Sequence, residues 1–389
     1  MAYPRFRKLL TLLIPLVVGF APARVAGQAD HALPTHLPTH EFLVAGYGTA
    51  GWRAIGEGGA NSFFGSVSPL LLFQFGDRVL FEAEFEFEIE DGVTRTGLEY
   101  AQIDYFLGDN LTVVAGKFLV PFGVFGERLH PTWINRFATN PPIFGHGGGS
   151  LQPLLPILAD FGAMVRGAWA FGGGRSLIAS AYVTQGPFVE GGHGEEEPGG
   201  MVSMAPTAPR LEFAFGEQTS DLTDDKMIGG RVGWVVAPTF EVDISGLTGA
   251  FDEEGSRLNG LNVAAELRRG GFEFRGEAVG LWYDVELDAE AGEPEPPAEE
   301  AHGERVTART GGYYIQASRR LGAWEPTLRW TQAFDVNAEG LSSTAGYRQL
   351  GVGLDYWIAP AIAIMAAYER NDLKGDASDR FLVHWSFGF

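Results

Sequence analysis

The sequence predicts an all-β fold, a transmembrane antiparallel β-barrel of about sixteen strands, and three observations carry this prediction. Residues 80–90 place a glutamate at every second position. Residues 381–389 alternate an aromatic-rich series with a mixed one, and the chain ends on a phenylalanine. Short and long connections alternate between the strand-like segments along the chain.

The segment 80–90 has one acidic and one apolar face. The acidic series is Glu82, Glu84, Glu86, Glu88 and Glu90, and the apolar series is Phe81, Ala83, Phe85, Phe87 and Ile89. A helix would scatter these glutamates around its circumference, whereas a strand collects them on one side because its side chains alternate with a period of two. The pattern therefore predicts a strand, and both a soluble sandwich and a membrane barrel could accommodate it.

The end of the chain favours the membrane barrel. One face of the last predicted strand carries Phe381, Val383, Trp385, Phe387 and Phe389, and the other carries Leu382, His384, Ser386 and Gly388. An aromatic-rich alternating strand that ends on phenylalanine resembles the terminal strand of bacterial outer-membrane barrels. No window approaches eighteen consecutive apolar residues, so we expect strands of about ten residues each to cross the membrane.

The first residues have the parts of a secretory signal peptide, predicted to span 1–27. A basic start is followed by an apolar stretch over 9–20 and by small residues over 21–27. This apolar stretch is too short to span a bilayer as a helix. A short periplasmic segment is expected over 28–41, before a barrel over 42–389. The chain has no cysteine, which excludes disulfides, thiolate metal sites and a lipoprotein anchor.

The formal net charge of −21 excludes binding of nucleic acid through its phosphates. It indicates instead that the exposed loops or the inside of the barrel are negative. No cofactor is predicted.

The barrel is predicted from sixteen alternating segments. They cover 42–52, 63–76, 78–90, 94–107, 111–120, 160–171, 175–185, 226–237, 239–250, 258–269, 271–285, 307–321, 323–334, 346–358, 361–370 and 380–389. Seven connections are very short and contain Gly, Asp, Asn or Pro, as tight turns require. Eight are predicted to be longer, among them 91–93, 121–159, 186–225, 286–306 and 371–379. Short periplasmic turns alternating with long external loops fit sixteen strands with both termini in the periplasm.

The inner face of this barrel is predicted to carry charges of both signs. The candidate pore-lining acids are Glu82, Glu84, Glu86, Glu88, Glu241, Asp243, Glu266, Glu273 and Glu277. The candidate pore-lining bases are Lys117, Arg166, Arg268, Arg275, Arg320 and Arg329. A barrel of this width with a charged inner face leaves an aqueous channel, so we expect these side chains to face water.

The segment GKFLVPFG at 116–123 resembles the strand-to-loop junction of the phosphate-selective porin O/P family. The resemblance implies a sixteen-stranded and usually trimeric porin whose next loop folds into the barrel and narrows it. The sequence of 121–159 agrees with an infolded loop because it is rich in prolines that stiffen it and in aromatic residues that need burial. Packing of this loop on a neighbouring subunit is the alternative. Arg128 and Arg136 are the candidate constriction residues.

Phosphate selectivity is not expected to follow from this resemblance. The family uses a series of lumenal arginines, whereas here the arginines share the inner face with many carboxylates. Rings of carboxylates favour cations and rings of arginines favour anions. We therefore expect a modest preference for cations, although a wall with both signs could instead set up a transverse field.

The function predicted is that of an outer-membrane porin, a water-filled channel for passive diffusion of small hydrophilic solutes or ions. The expected partners are outer-membrane lipids, the solutes themselves and, in a homotrimer, further copies of the chain. The alternative is a barrel-anchored surface protein whose acidic external loops, 186–225 and 286–306, bind metal or another partner. Catalytic motifs such as G-x-S-x-G, HExxH and a Walker loop do not occur, and no enzymatic activity is predicted.

Overall fold

The computed structural model describes residues 40–56, 61–90, 92–145, 151–189, 207–216, 225–286 and 305–389. The predicted signal peptide, most of the predicted periplasmic segment 28–41 and large parts of the two acidic loops lie outside the described residues. The histidines of these stretches, His31, His36, His193 and His302, lie outside them as well.

Sixteen antiparallel strands form one closed barrel, which confirms the predicted fold class. The barrel strands are β1 (His40–Ile55), β2 (Ser62–Phe75), β3 (Val79–Glu90), β4 (Val93–Phe106), β5 (Leu111–Leu119), β6 (Ala159–Gly172), β7 (Arg175–Thr184), β10 (Met227–Ala237), β11 (Phe240–Ala250), β12 (Arg257–Arg269), β13 (Phe272–Glu286), β14 (Arg305–Arg319), β15 (Trp324–Ala333), β16 (Tyr347–Ala359), β17 (Ile362–Leu373) and β18 (Asp376–Gly388). Each strand pairs with its neighbours in sequence among these sixteen, and β18 pairs with β1.

The outer face of the barrel is apolar because one of the two alternating series in each strand is aliphatic or aromatic. Ile244, Val263, Leu328 and Val352 are each about half exposed on this face. In water such a surface would drive aggregation, whereas lipid chains solvate it. No helix among the described residues is long and apolar enough to cross a bilayer.

Two connections predicted to be long are tight turns. β17 ends at Leu373 and β18 begins at Asp376, and only Lys374 and Gly375, both with positive φ, join them. β3 and β4 are likewise separated only by residues 91–92. The prediction of a loop over 371–379 was wrong because its polar residues belong to strand ends, where a strand needs no apolar face once it leaves the membrane.

The barrel closes where the last strand meets the first. The backbone N–H of Gly46 donates to the carbonyl of Phe389 at 3.0 Å, and the N–H of Phe389 donates to the carbonyl of Gly46 at 2.9 Å. The rings of Phe389 and Phe387 lie over Gly46 and Gly48, so that a Cβ at either glycine would come within 2.8 Å of ring carbon. The terminal phenylalanine therefore forms both the backbone and the side-chain part of the closing contact.

The described ends of the predicted loop 186–225 form a small sheet of their own. β8 (Pro187–Val189) pairs with β9 (Phe213–Phe215) outside the barrel ladder. The ring of Phe213 is buried against Phe251 and Tyr283 at centroid distances of 5.4 and 5.5 Å. The ends of this segment are thus fixed on the barrel by aromatic packing.

Candidate functional site

The chain between β5 and β6 lies inside the barrel. We call residues 120–158 the interior segment; the structure describes 120–145 and 151–158 of it. After Gly123, whose φ is +76°, the segment forms a π-helical turn over Phe125–Leu129 and the short helix α1 (Thr132–Asn135). Its aromatic side chains are buried rather than exposed to solvent, and Phe125 and Phe137 have no exposed surface.

Glycines on the inner face of the barrel receive the aromatic side chains of the interior segment. An ideal Cβ at Gly351 or Gly353 would lie 2.7 or 3.0 Å from the ring of Phe137. A Cβ at Gly260 would lie 2.8 Å from the ring of Phe122, and one at Gly388 would lie 3.1 Å from Trp133. The rings reach the barrel backbone only because these positions lack side chains.

One buried carboxylate holds the start of the interior segment through its backbone. Glu277 accepts hydrogen bonds from the N–H groups of Val124 at 3.2 Å and Phe125 at 2.9 Å. The amide of Asn262 donates to the same carboxylate at 2.8 Å. Three donors around a buried acceptor satisfy a group that would otherwise be costly to bury, so Glu277 anchors the segment instead of facing water.

The two predicted constriction arginines form ion pairs with the barrel wall. Arg128 makes a two-point contact with Glu241, at 2.5 and 3.3 Å. Arg136 lies 3.1 Å from Glu273 and 3.2 Å from Glu325. These pairs link the segment to β11, β13 and β15.

On β10, the positive charge lies on the barrel wall, where Arg231 binds the interior segment. Its guanidinium pairs with Glu127, donates to the carbonyl of Gly123 at 3.0 Å and lies 3.7 Å from Asp243. Asp243, predicted to line the pore, is therefore buried beside an arginine that is itself bonded to the interior segment.

Arg329 is fully buried between the barrel wall and the interior segment. It donates to the carbonyl and the hydroxyl of Thr139, both at 2.6 Å, and to Glu369 at 3.0 Å. Its guanidinium carbon lies 4.0 Å from the centroid of the Phe137 ring. The expectation of a water-facing arginine does not describe this side chain, because the segment covers it.

The remaining predicted charges on β12–β15 are also engaged with one another or with the segment. Arg275 pairs with Glu273 and approaches the carbonyls of Ile134 and Asn135 at 3.4 and 3.3 Å. Further ion pairs in this group are Arg268 with Glu266 and Glu273, and Arg320 with Glu325.

The inner face of the barrel is covered on one side only. The inward-facing side chains of β15, β16 and β17 are buried, except for Ala359 and Leu373 at strand ends. On β3, Glu82, Glu86 and Glu88 keep partial exposure, as do their neighbours Thr49 and Ser66 on β1 and β2. The interior segment thus leaves a strip along β1–β4 whose inward polar side chains are at least partly exposed, except for Ser68, Glu84, Gln102 and Asp104, which are buried.

The centre of this strip combines carboxylates with few basic groups. The hydroxyl of Tyr47 donates to Glu84 at 2.6 Å, and the amide of Gln102 lies 3.5 Å from Glu82 and 2.9 Å from Asp104. Asp104 pairs with Arg166. Towards the loop end of the strip, Glu90 pairs with Arg53, and Glu88 lies 3.7 Å from Arg95.

Lys117 is placed differently from the prediction. It pairs in register with Ala101 and Phe161 and shares the outer face with Val113 and Ala115, while its Nζ donates to the carbonyl of Leu98 at 2.9 Å. Because both series of β5 are largely apolar, the alternation over 111–119 did not distinguish the faces.

Several residues of the site were not singled out from the sequence. Strand alternation could have placed Glu325 on the inner face, since it has the parity of the predicted Arg329 on β15. Asp104 and Arg231 alternate with apolar residues on β4 and β10, which is the same signal, whereas Glu369 on β17 has a mixed surrounding. His130 carried no such signal. Its Nε2 lies 3.0 Å from the hydroxyl of Tyr47 and its Nδ1 lies 2.7 Å from the carbonyl of Gly126, contacts that depend on how the segment folds.

We expect acidification to loosen the interior segment through His130. Burial lowers the pKa of His130 to about 4, partly offset by its hydrogen bond to Gly126. An undocked segment would restore the ordinary value of about 6.5, so protons favour the undocked form, and docking weakens as pH falls from about 6.5 towards 4. Single-channel recordings across this range should show more frequent or larger openings at low pH.

His130→Gln is the matching control, because glutamine keeps a polar side chain that does not titrate. The variant should lose part of the pH response between about 6.5 and 4. An identical pH response in both proteins would show that His130 does not control docking.

Within the described ranges, no group of three or more His, Cys, Asp or Glu side chains is arranged to hold a metal ion. No protein-family model and no curated protein matches the chain in sequence.

The fold matches solved outer-membrane structures over most of the chain. A loop L8 deletion mutant of OmpT, an outer membrane protein of Vibrio cholerae, has a TM-score of 0.57 at 11% identity, with 90% of this chain and 99% of that chain covered. The outer membrane channel DcaP of Acinetobacter baumannii has a TM-score of 0.54 at 12% identity, covering 90% and 97%. The anion-selective porin from Comamonas acidovorans has a TM-score of 0.52 at 12% identity, covering 90% and 100%.

At these identities the likeness shows the fold. Together with the closed barrel and its apolar outer face, it shows that the chain is a porin-like β-barrel of the bacterial outer membrane.

Proposed function

We propose that this protein is a porin for passive diffusion of small hydrophilic solutes or ions, through a passage that runs along the inner face of β1–β4. The observation that supports the proposal is the one-sided cover of the barrel interior. The interior segment buries the inward side chains of β15–β17, whereas Glu82, Glu86 and Glu88 on β3 keep partial exposure. A polar strip opposite a packed segment is suited to conduct water and solutes.

The charge of the strip favours cations in this proposal. Its carboxylates outnumber its arginines, since Glu82, Glu84, Glu86, Glu88, Glu90 and Asp104 share it with Arg53, Arg95 and Arg166. The arginines on the opposite side, Arg275 and Arg329, are buried against carboxylates and carbonyls and are withdrawn from the passage. A path lined by one sign of charge in a low-dielectric wall concentrates ions of the other sign.

Replacing Glu82, Glu84, Glu86 and Glu88 together by glutamine should shift the reversal potential under a salt gradient towards anion selectivity. Glutamine keeps the size and hydrogen-bonding capacity of each side chain, so the barrel should still fold. Planar-bilayer recording gives the reversal potential and the conductance in one experiment. A wild-type protein without any stable open channel would refute the porin function itself.

The control variant removes the same formal charge from exposed positions that lie outside β3: Glu253→Gln, Glu254→Gln, Glu339→Gln and Asp376→Asn. It should leave the reversal potential nearly unchanged, because exposed charges beyond a Debye length of about 8–10 Å are screened. Equal shifts in the two variants would show that β3 does not line the conducting path.

We also propose a relation to the phosphate-selective porin O/P family and a homotrimeric assembly. The junction GKFLVPFG at 116–123 supports the first, since it leads from β5 directly into the interior segment. One solved structure of similar fold, OmpT of Vibrio cholerae in its trimer form, supports the second, with a TM-score of 0.55 at 10% identity. Phosphate selectivity is not part of the proposal, because the uncovered strip is acidic.

A further inference from the structure

Two pairs of consecutive arginines lie at the ends of the two strands that flank β13, and in each pair one side chain faces inward and the other outward. Arg268 and Arg269 end β12, and Arg319 and Arg320 follow each other at the end of β14. The inward members, Arg268 and Arg320, form ion pairs with glutamates of the inner face. The outward members, Arg269 and Arg319, are exposed and have no ion pair with any described residue.

The two outward arginines flank one aromatic residue in the strand register. In the ladder of β12 and β13, Arg269 pairs with Phe272, and in the ladder of β13 and β14, Phe272 pairs with Arg319. Two strand spacings separate the arginine backbones by roughly 9–10 Å. The guanidinium carbon of Arg319 lies 4.5 Å from the centroid of Phe272, so this side chain leans towards Arg269. A small anionic group could contact both guanidinium groups above the ring.

The surroundings of Arg269 and Arg319 are apolar on the side that faces lipid. Phe274 stacks on Phe272 with 5.8 Å between ring centroids, and Leu267 and Phe274 are each more than a third exposed. In the described ranges of β10–β16, no acidic side chain has outward parity in this half of the barrel. Among the described residues, no acidic side chain supplies a counter-charge to these two cations above the lipid-facing aromatic surface.

We propose that Arg269, Phe272 and Arg319 form a binding site for the headgroup of an anionic phospholipid. The two guanidinium groups would bind the phosphodiester, for which their planar donor pairs are well suited. The acyl chains would lie along Leu267 and Phe274. This apolar surface favours a lipid over free phosphate, which could use only the two arginines. The site is independent of the proposed diffusion function, since it lies on the outer face.

The test is a titration of the detergent-solubilised full-length protein with fluorescent phosphatidylglycerol and, separately, with fluorescent phosphatidylcholine. The wild-type protein should bind phosphatidylglycerol more tightly. In the double variant Arg269→Ala, Arg319→Ala this affinity should fall roughly thirty-fold, since each basic residue near a membrane surface contributes about 1 kcal/mol. The affinity of the variant Arg269→Lys, Arg319→Lys for phosphatidylglycerol should lie between those of the wild-type protein and the alanine variant, because lysine keeps the charge but loses the planar donors.

The matched control is Arg309→Ala, Arg348→Ala, which removes two exposed outward arginines near the opposite end of the barrel. It should leave the affinity unchanged, and conductance should be unchanged in all variants. Equal loss in the control would overturn the site in favour of unspecific attraction to charge. Unchanged affinity in the alanine variant would overturn it as well. So would equal affinity for the two lipids, or displacement of phosphatidylglycerol by inorganic phosphate at comparable concentration.

Discussion

The double variant Gly46→Val, Gly48→Val should fail to form a closed barrel in most molecules. A Cβ at Gly46 would lie 2.6 Å from the carbonyl oxygen of Ser68 and 2.7 Å from the ring of Phe389. A Cβ at Gly48 would lie 2.6 Å from the carbonyl oxygen of Ser66 and 2.8 Å from the ring of Phe387. Backbone oxygens cannot rotate away as a flexible side chain can, so β1 would have to move from both neighbours. Overpacking costs about 1–3 kcal/mol per site, and both sites lie in the closing strand pair.

The measurement is the fraction of protein that migrates as a heat-modifiable folded band after refolding into detergent or lipid. Gly246→Val is the control, because a Cβ there would meet only the carbonyl oxygen of Gly260, at the ordinary distance of 3.5 Å. Deletion of Phe389 tests the same contact from the other strand, since it removes both hydrogen bonds to Gly46 together with the ring. Normal folding of both the Gly46→Val, Gly48→Val variant and the Phe389 deletion would show that closure does not depend on the contact between β1 and the end of β18.

The fold could be predicted because a barrel strand repeats one simple rule along its length. The outward series must be apolar and the inward series may be polar, so the period of two appears in nearly every strand. The rule fails where a strand leaves the membrane, as over 371–379, since no apolar face is needed there. It also fails on β5, where packing against the interior segment makes the inward series apolar too, so Lys117 was assigned to the wrong face.

The candidate site was predicted in part for the same reason. Alternation indicates that Glu277 and Arg329 point inward, but it contains no information about what lies opposite them. The partners of Arg329 are Thr139, about half the chain away in sequence, and the ring of Phe137. Such contacts depend on the path of an irregular segment, whose conformation is set by long-range packing and not by local periodicity. The charged interior was therefore expected to be open, whereas much of it is covered.

The largest change in conductance is expected when the binding position of Phe137 on the barrel wall is filled. In Gly351→Val, Gly353→Val, new side chains would occupy the space of the Phe137 ring, which is fully buried and lies against Arg329 on its other side. Displacing a buried phenylalanine costs about 3–5 kcal/mol, enough to shift the interior segment away from its docked position in most molecules. Single-channel conductance should then rise severalfold, because the segment no longer fills the space beside β15–β17.

Selectivity should change together with conductance in this variant, because release of the segment exposes charges of both signs. Arg275 and Arg329 would lose their contacts with the segment and face water, so the preference for cations should weaken. Gly97→Val is the matched control, since nothing lies within 4 Å of a Cβ at that position in β4. Phe137→Ala approaches the same state by removing the ring and should also raise conductance. If both variants conduct like the wild-type protein while remaining folded, the aromatic packing of Phe137 does not hold the segment, and its ion pairs do. Neutralising Arg128, Arg136 and Arg231 together should then raise the conductance.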